Sequence, residues 1–252
     1  MVMLDSEVII RVENLTAGYD DVVIVKDINF EVRTGEVFVI LGGSGCGKST
    51  LLKHMIGLLS PVSGKVVIEG NDIVSARGQK RKNILRRIGV MYQNGALFGS
   101  MNIMENICLG LEEFTNLPKD AMEFVARIRL KVVGLEGCEF KMPSELSGGM
   151  RKRAAIARAM ALDPKVLFLD EPSAGLDPII SSQLDDLIIE LSRSLGITFI
   201  LVTHELPSIY KVADRAIMLD KTTKTIVATG TPDYLRDKSD NSWVRQFFNR
   251  AS

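Results

Sequence analysis

The chain has 252 residues, with 31 basic and 31 acidic side chains and a formal net charge of zero. That balance argues against a protein that coats nucleic acid, because polyanion binders carry a basic excess or stripe. The length suits one large α/β domain, or one domain with an insertion, and scarce aromatics with plentiful glycine fit an α/β enzyme better than a β-sandwich.

In chain order, residues 8–12 and 28–32 cluster β-branched side chains and predict strands of an N-terminal sheet. Residues 36–41 predict a short buried strand that ends in glycines. A helix is predicted from Lys48 to about Ile56, and residues 57–64 are turn-rich. Residues 65–68 and 88–92 predict further strands. From about Met101 to Ala161 the pattern is mostly helical, and residues 121–133 are amphipathic. Strands then return in alternation with helices over 166–169, 179–195, 198–202 and 216–220. Such alternation around a helical block predicts a parallel-sheet core with a helical subdomain inserted in its middle. The stretch from Gly230 is expected to form a separate small tail.

Cys46, Cys108 and Cys138 form no CxxC pair, so neither a disulfide framework nor a zinc site is expected, and a reducing cytosol is the default. The N-terminal MVMLDSEVII carries acids and no basic segment, unlike a secretory signal. No run approaches the roughly 20 apolar residues that span a bilayer, so the chain is expected to be soluble by itself.

Residues Gly42, Gly43, Ser44, Gly45, Cys46, Gly47, Lys48 and Ser49 fit G-x-x-x-x-G-K-[ST] between a predicted strand and a predicted helix. Glycines let successive backbone N–H groups curl into an anion nest, and the helix N-terminus adds positive dipole. Lys48 supplies charge to the β- and γ-phosphates, Ser49 a hydroxyl to Mg²⁺, and Thr50 a second hydroxyl. Cys46 reads as a small loop residue, although a thiol at a helix start could be alkylatable. The matching half is the strand 166–170, which delivers Asp170 where α/β sheets bind ligands. There Asp170 can hold Mg²⁺, and Glu171 can polarise the attacking water as general base. The alternative for this acidic pair is a solvated turn.

Glu145-Leu146-Ser147-Gly148-Gly149-Met150 resembles the LSGGQ signature of ABC-type ATPases. Tyr19, Gln93, Ser173-Ala174-Gly175-Leu176-Asp177 and His204 follow the order of the other family marks, and the likeness covers nearly the whole chain. A small GTPase is disfavoured, since no N-K-x-D motif occurs. The resemblance implies a P-loop NTPase core of the ABC type over residues 1–94 and 163–229, with an N-terminal antiparallel β subdomain. It also implies a helical signature subdomain over 95–162 and a helical tail over 230–252. Tyr19 would stack on adenine, Gln93 would touch Mg²⁺ and the water, and His204 would hydrogen-bond the γ-phosphate. Ser147, Gly148, Gly149 and Asp177 would serve the ATP held by a second copy. Arg151, Lys152 and Arg153 stand near that helix start, where the dipole disfavours cations. Charge serving the phosphate across the interface, or a solvated basic turn, would explain them.

Most ABC ATPases carry Gln where this chain has Met150. LSGGM followed by Arg-Lys-Arg is similar instead to the ATPases of lipid transporters that work with MCE-domain proteins, the Mla systems. So are Gly95-Ala96-Leu97-Phe98, Met142-Pro143-Ser144-Glu145-Leu146 and Val244-Arg245-Gln246-Phe247. The resemblance therefore implies an ATP- and Mg²⁺-dependent homodimer, peripheral on the cytoplasmic face of a bacterial inner membrane, energising phospholipid movement through a permease. An importer of small solutes and a soluble ABC ATPase remain the alternatives. Ala96, Leu97 and Phe98 would floor a socket for the permease, or else fold back into the subdomain core. Trp243, Val244, Phe247 and Phe248 form one apolar helix face, which packs on its own domain or docks on the second copy. The resemblance favours docking.

Overall fold

The computed structural model describes residues 7–19 and 22–249. The chain opens with a long hairpin, β1 (Val8–Tyr19) against β2 (Val22–Arg33), then β3 (Val37–Gly42) and α1 (Lys48–Met55). It continues through β4 (Ser63–Ile68), β5 (Asn71–Asp72), α2 (Gly78–Leu85) and β6 (Ile88–Met91). A helical stretch follows: α3 (Ile103–Phe114), α4 (Lys119–Val132), a 3₁₀ turn (Pro143–Glu145) and α5 (Gly148–Ala159). Then come β7 (Val166–Asp170), α6 (Pro178–Leu195), β8 (Thr198–Val202), α7 (Leu206–Val212), β9 (Arg215–Leu219) and β10 (Ile226–Gly230). Two short helices close the described chain, α8 (Pro232–Asp237) and α9 (Ser242–Phe248).

One sheet has the order β2-β1-β4-β5 and is antiparallel. The other runs β10-β9-β3-β8-β7-β6, parallel except for the edge strand β10. β3, β7 and β8 read as unbroken apolar runs because both faces of the parallel sheet are covered. Alternation along each strand then divides the side chains between two cores. Val39, Leu41, Leu169 and Leu201 face the core shared with α3, α4, α5 and α6. Phe38, Ile40, Phe168 and Ile200 face the core shared with α1 and the antiparallel sheet.

Caps mark where the helices start. Asn102 accepts from the Glu105 backbone at 2.9 Å, and Glu105 accepts in return from the Asn102 backbone at 2.8 Å, closing a capping box on α3. Asp177 accepts from the backbones of Ile179 and Ile180 at the start of α6, with Pro178 in the first turn.

The tail is not separate. Leu235, Val244 and Phe248 are buried in the same core as Phe199 and Met218. Tyr210 on α7 donates its hydroxyl to the Phe248 carbonyl at 3.1 Å and meets the Phe248 ring edge-on. All four residues of the expected dimer face pack on their own chain: Val244 and Phe248 are buried, while Trp243 and Phe247 pack against the same core and stay partly exposed. Among the described residues no helix is long and apolar enough to cross a membrane.

Candidate nucleotide site

β3, β7 and β8 lie side by side, and their C-terminal ends converge. Ile40 and Asp170 both pair with Val202, so the residues just past these strands share one edge of the sheet. Residues 43–47 leave β3 as a loop in which Gly47 has φ +100, and Lys48 and Ser49 open α1. A Cβ at Gly47 would lie 2.7 Å from Val25 Cγ1, so only glycine fits this entry to α1. Lys48 folds over the loop and donates its ammonium to the carbonyls of Gly42 at 2.9 Å and Gly43 at 3.2 Å. Ser49 Oγ donates to Asp170 Oδ1 at 3.1 Å, joining the two sequence halves of the site. Burial pushes the Asp170 carboxyl up, against the Ser49 hydrogen bond and the charges of Lys53, Lys48 and Lys152.

Glu171 has φ +47, a conformation that a non-glycine residue seldom adopts, and its backbone donates to Val202 O at 2.8 Å. One carboxylate oxygen, Oε1, lies 2.8 Å from His204 Nδ1, while Oε2 is buried without a protein partner. A buried carboxylate oxygen with an open valence can accept a proton from a water or hydroxyl placed beside it. Gln93 is exposed at the end of β6. Gly42, Ser44, Lys48, Ser49, Thr50, Gln93, Glu171 and His204 together line a cleft of about 560 Å³. Phe247 of α9 lines it too, and nothing in the sequence signalled that, because 43 residues and four elements separate it from His204.

Other expected residues stand elsewhere. Tyr19 is exposed, with its hydroxyl 3.2 Å from the Lys53 ammonium on α1. Burial would raise its phenol pKa, but Thr50 and Lys53 hold it below the ordinary value. Cys46 is buried, and burial pushes its thiol up against the charge of Lys48, which suits a small packing residue of the loop better than a reactive thiol. Ser147 caps α5, accepting from the Met150 backbone at 3.3 Å, and Gly148 and Gly149 abut Leu176 and Ile180. With Asp177, these signature residues lie outside the cleft of their own chain. The basic run is not a free patch: Arg151 donates to Leu146 O at 2.7 Å and Arg153 to Val133 O at 3.2 Å. Lys152 turns inward and donates to the carbonyls of Gln93 and Glu171. Burial lowers its pKa, while Glu171, Glu205 and Asp170 oppose that. The basic run therefore serves backbone carbonyls of its own chain.

The segment after Gln93 is pinned at both ends. Arg158 on α5 donates to Ala96 O at 2.6 Å and Gly95 O at 2.9 Å. The buried Asn106 on α3 accepts from the Phe98 backbone and donates to the carbonyls of Phe98, Met101 and Asn102. Leu97 packs against the core, whereas Phe98 is 49% exposed. Ala96 and Phe98 line a groove of about 500 Å³ whose walls include Leu85, Tyr92, Leu109, Phe114 and Leu162.

Residues 25–174 match the family model described as ABC transporter. The chain belongs to the ABC transporter family. As an ABC ATPase it binds and hydrolyses ATP. It is 40% identical over 242 residues to a probable ribonucleotide transport ATP-binding protein, Mkl, of Mycobacterium leprae, covering 96% of this chain and 69% of that one. It is 38% identical to the intermembrane phospholipid transport ATP-binding protein MlaF of Haemophilus influenzae, covering 92% of this chain and 87% of that one. The spermidine/putrescine import ATP-binding protein PotA of Mycoplasma capricolum is 36% identical, with 97% and 67% covered. Among solved structures, CbiO1 of Clostridium perfringens, part of an ABC transporter complex, superposes with a TM-score of 0.83 at 32% identity, covering 97% and 96% of the two chains. A dimeric ATP-binding cassette in a post-hydrolysis state with ADP and Pi gives 0.79 at 27% identity, covering 88% and 98%.

Proposed function

We propose that this ABC ATPase energises phospholipid transport through a membrane permease that works with an MCE-domain protein. The observation that carries this reading is the likeness to MlaF across 92% of the chain. The half-exposed Phe98 at an apolar groove beside Gln93 supports it, because exposed apolar grooves mark protein contacts. The groove would take a cytoplasmic segment of the permease, placing this chain on the cytoplasmic face of the inner membrane. Small-solute import is the second reading, favoured by the Mkl and PotA relatives at similar identity.

In this reading residues 1–94 and 163–229 form the ATPase core, 95–162 the helical subdomain and 230–252 the tail. Two copies sandwich two ATP molecules. Ser147, Gly148, Gly149 and Asp177 of one copy face the nucleotide on the phosphate loop of the other. The loop from Gly42 to Thr50 cradles the phosphates, with Lys48 released from its own carbonyls to the β- and γ-phosphates, and Tyr19 stacks on adenine. The hydroxyl of Ser49, the carboxylate of Asp170 and the amide of Gln93 are hard oxygen donors that fit Mg²⁺. Mg²⁺ would supply charge neutralisation on the phosphates. Glu171 accepts the proton of the attacking water through Oε2, while His204 steadies Oε1 and faces the γ-phosphate with its other ring nitrogen.

Purification of the chain with its native membrane partners, followed by mass spectrometry of bound lipids, tests the reading. Bound phospholipid and an MCE-domain protein are expected. Co-purification with a soluble solute-binding protein would shift the assignment to import. Deleting residues 242–252 tests the tail, whose remaining partly exposed Trp243 and Phe247 are proposed to touch the second copy; unchanged dimerisation and activity would remove that role.

A further inference from the structure

Lys152 is unlike its two cationic neighbours. Arg151 and Arg153 satisfy carbonyls at 146 and 133, within the helical stretch that contains them. Lys152 is only 7% exposed and crosses from α5 to the sheet edge. Its ammonium donates to Gln93 O and, at 3.3 Å, to Glu171 O. An ammonium has three donors and no acceptor, so two carbonyls from different segments can be held at once. One belongs to the loop that links β6 to the helical stretch. The other belongs to a residue held at φ +47, where the backbone needs outside support to persist. Burying an ammonium is costly, and this one donates to two backbone carbonyls of separate segments, so it fixes their relative geometry.

We propose that Lys152 is a positioning residue for ATP hydrolysis: it clamps the backbones of Gln93 and Glu171 to the signature helix, so that all three move as one body. A shift of α5 then alters the aim of the carboxylate on Glu171. Because the Ser147–Gly149 loop opens the same helix, the clamp also links the base of one site to the loop offered to the other. The inference rests on Glu171 being the general base.

The test uses the full chain with Lys152→Met, Lys152→Gln and Lys152→Arg, measuring kcat and KM for ATP, binding of a fluorescent ATP analogue, and Tm. Met is expected to keep analogue binding and to lower Tm modestly, since two carbonyls lose a charged donor, but to lose kcat by roughly 10- to 100-fold. Arg, which keeps the donors, is expected to recover most of the rate. If Met does not fold, Gln takes its place under the same criteria. A kcat within about twofold of the parent overturns the proposal, as does a rise in KM alone. Parallel loss of kcat and Tm in all three variants also overturns it, because the residue is then only structural. Glu171→Gln separates the two ideas: if that variant still hydrolyses ATP the base assignment fails, whereas an inactive Glu171→Gln beside a fully active Lys152→Met removes the clamp alone.

Discussion

Glu171 holds a buried oxygen without a partner, a left-handed backbone and a histidine contact, features that stability by itself does not explain. Glu171→Gln is expected to keep ATP binding and lower turnover by about 10²- to 10⁴-fold, as loss of a general base does. Single-turnover hydrolysis beside equilibrium binding checks this, and near-normal turnover would remove the assignment. Lys48→Ala is expected to weaken ATP binding by roughly 10- to 100-fold, the size of a lost charge-assisted contact, and titration calorimetry reads it directly. Asp185 carries a pH prediction. It is buried on α6, accepts from Ser208 Oγ on α7 at 2.9 Å, and burial raises its carboxyl from 3.8 to about 6. The Ser208 hydrogen bond and Lys211 oppose that shift, while Glu205 and Asp186 reinforce it. The folded state then binds more protons than the unfolded between those values, so this group's contribution to stability falls as pH rises from 3.8 to about 6. Asp185→Asn keeps an acceptor for Ser208 and is expected to raise Tm at pH 7 but not below pH 4. An equal Tm difference at both values would contradict the buried ionisation.

At the element scale, the phosphate loop, the strand before Asp170 and the signature helix were legible because each carries a motif or an unbroken apolar run. β1 and β2 run further than the β-branched clusters suggested. Register shifts and left-handed residues at Asn14 and Asp27 carry the pairing through polar stretches that look like turns. α2 gave no signal: GQKRKNIL lacks an apolar face, and the helix is tied down from its middle, where Arg81 donates to Ile73 O at 3.1 Å. The loop after Gln93 divides as its side chains do. Leu97 folds back into the core, whereas Phe98 stays half exposed at the groove. Phe98→Asp is expected to leave the Tm of the isolated chain within a degree or two, since the side chain is half exposed, while abolishing stimulation of ATP hydrolysis by the permease. Loss of folding would instead place Phe98 in the core.

Across the whole molecule, the two cores on either face of the parallel sheet hold the cleft open at its C-terminal edge. The tail is the largest difference from expectation, because its apolar face serves its own chain first. Phe248→Ala, at a buried site beside Tyr210, is expected to cost about 3–5 kcal/mol, read by denaturant unfolding. A cost near zero would mean that the tail does not pack as described. The sequence by itself determined where the candidate residues stand along the chain: Asp170, Glu171 and His204 lie at or just past strand ends, and Lys48 and Ser49 open α1, where local spacing fixes their place. Only the tertiary structure decided which surfaces remain free. Whether Phe247 meets the nucleotide cleft, Lys152 turns inward or Phe98 stays exposed depends on contacts between segments far apart in the chain, and no local pattern encodes those.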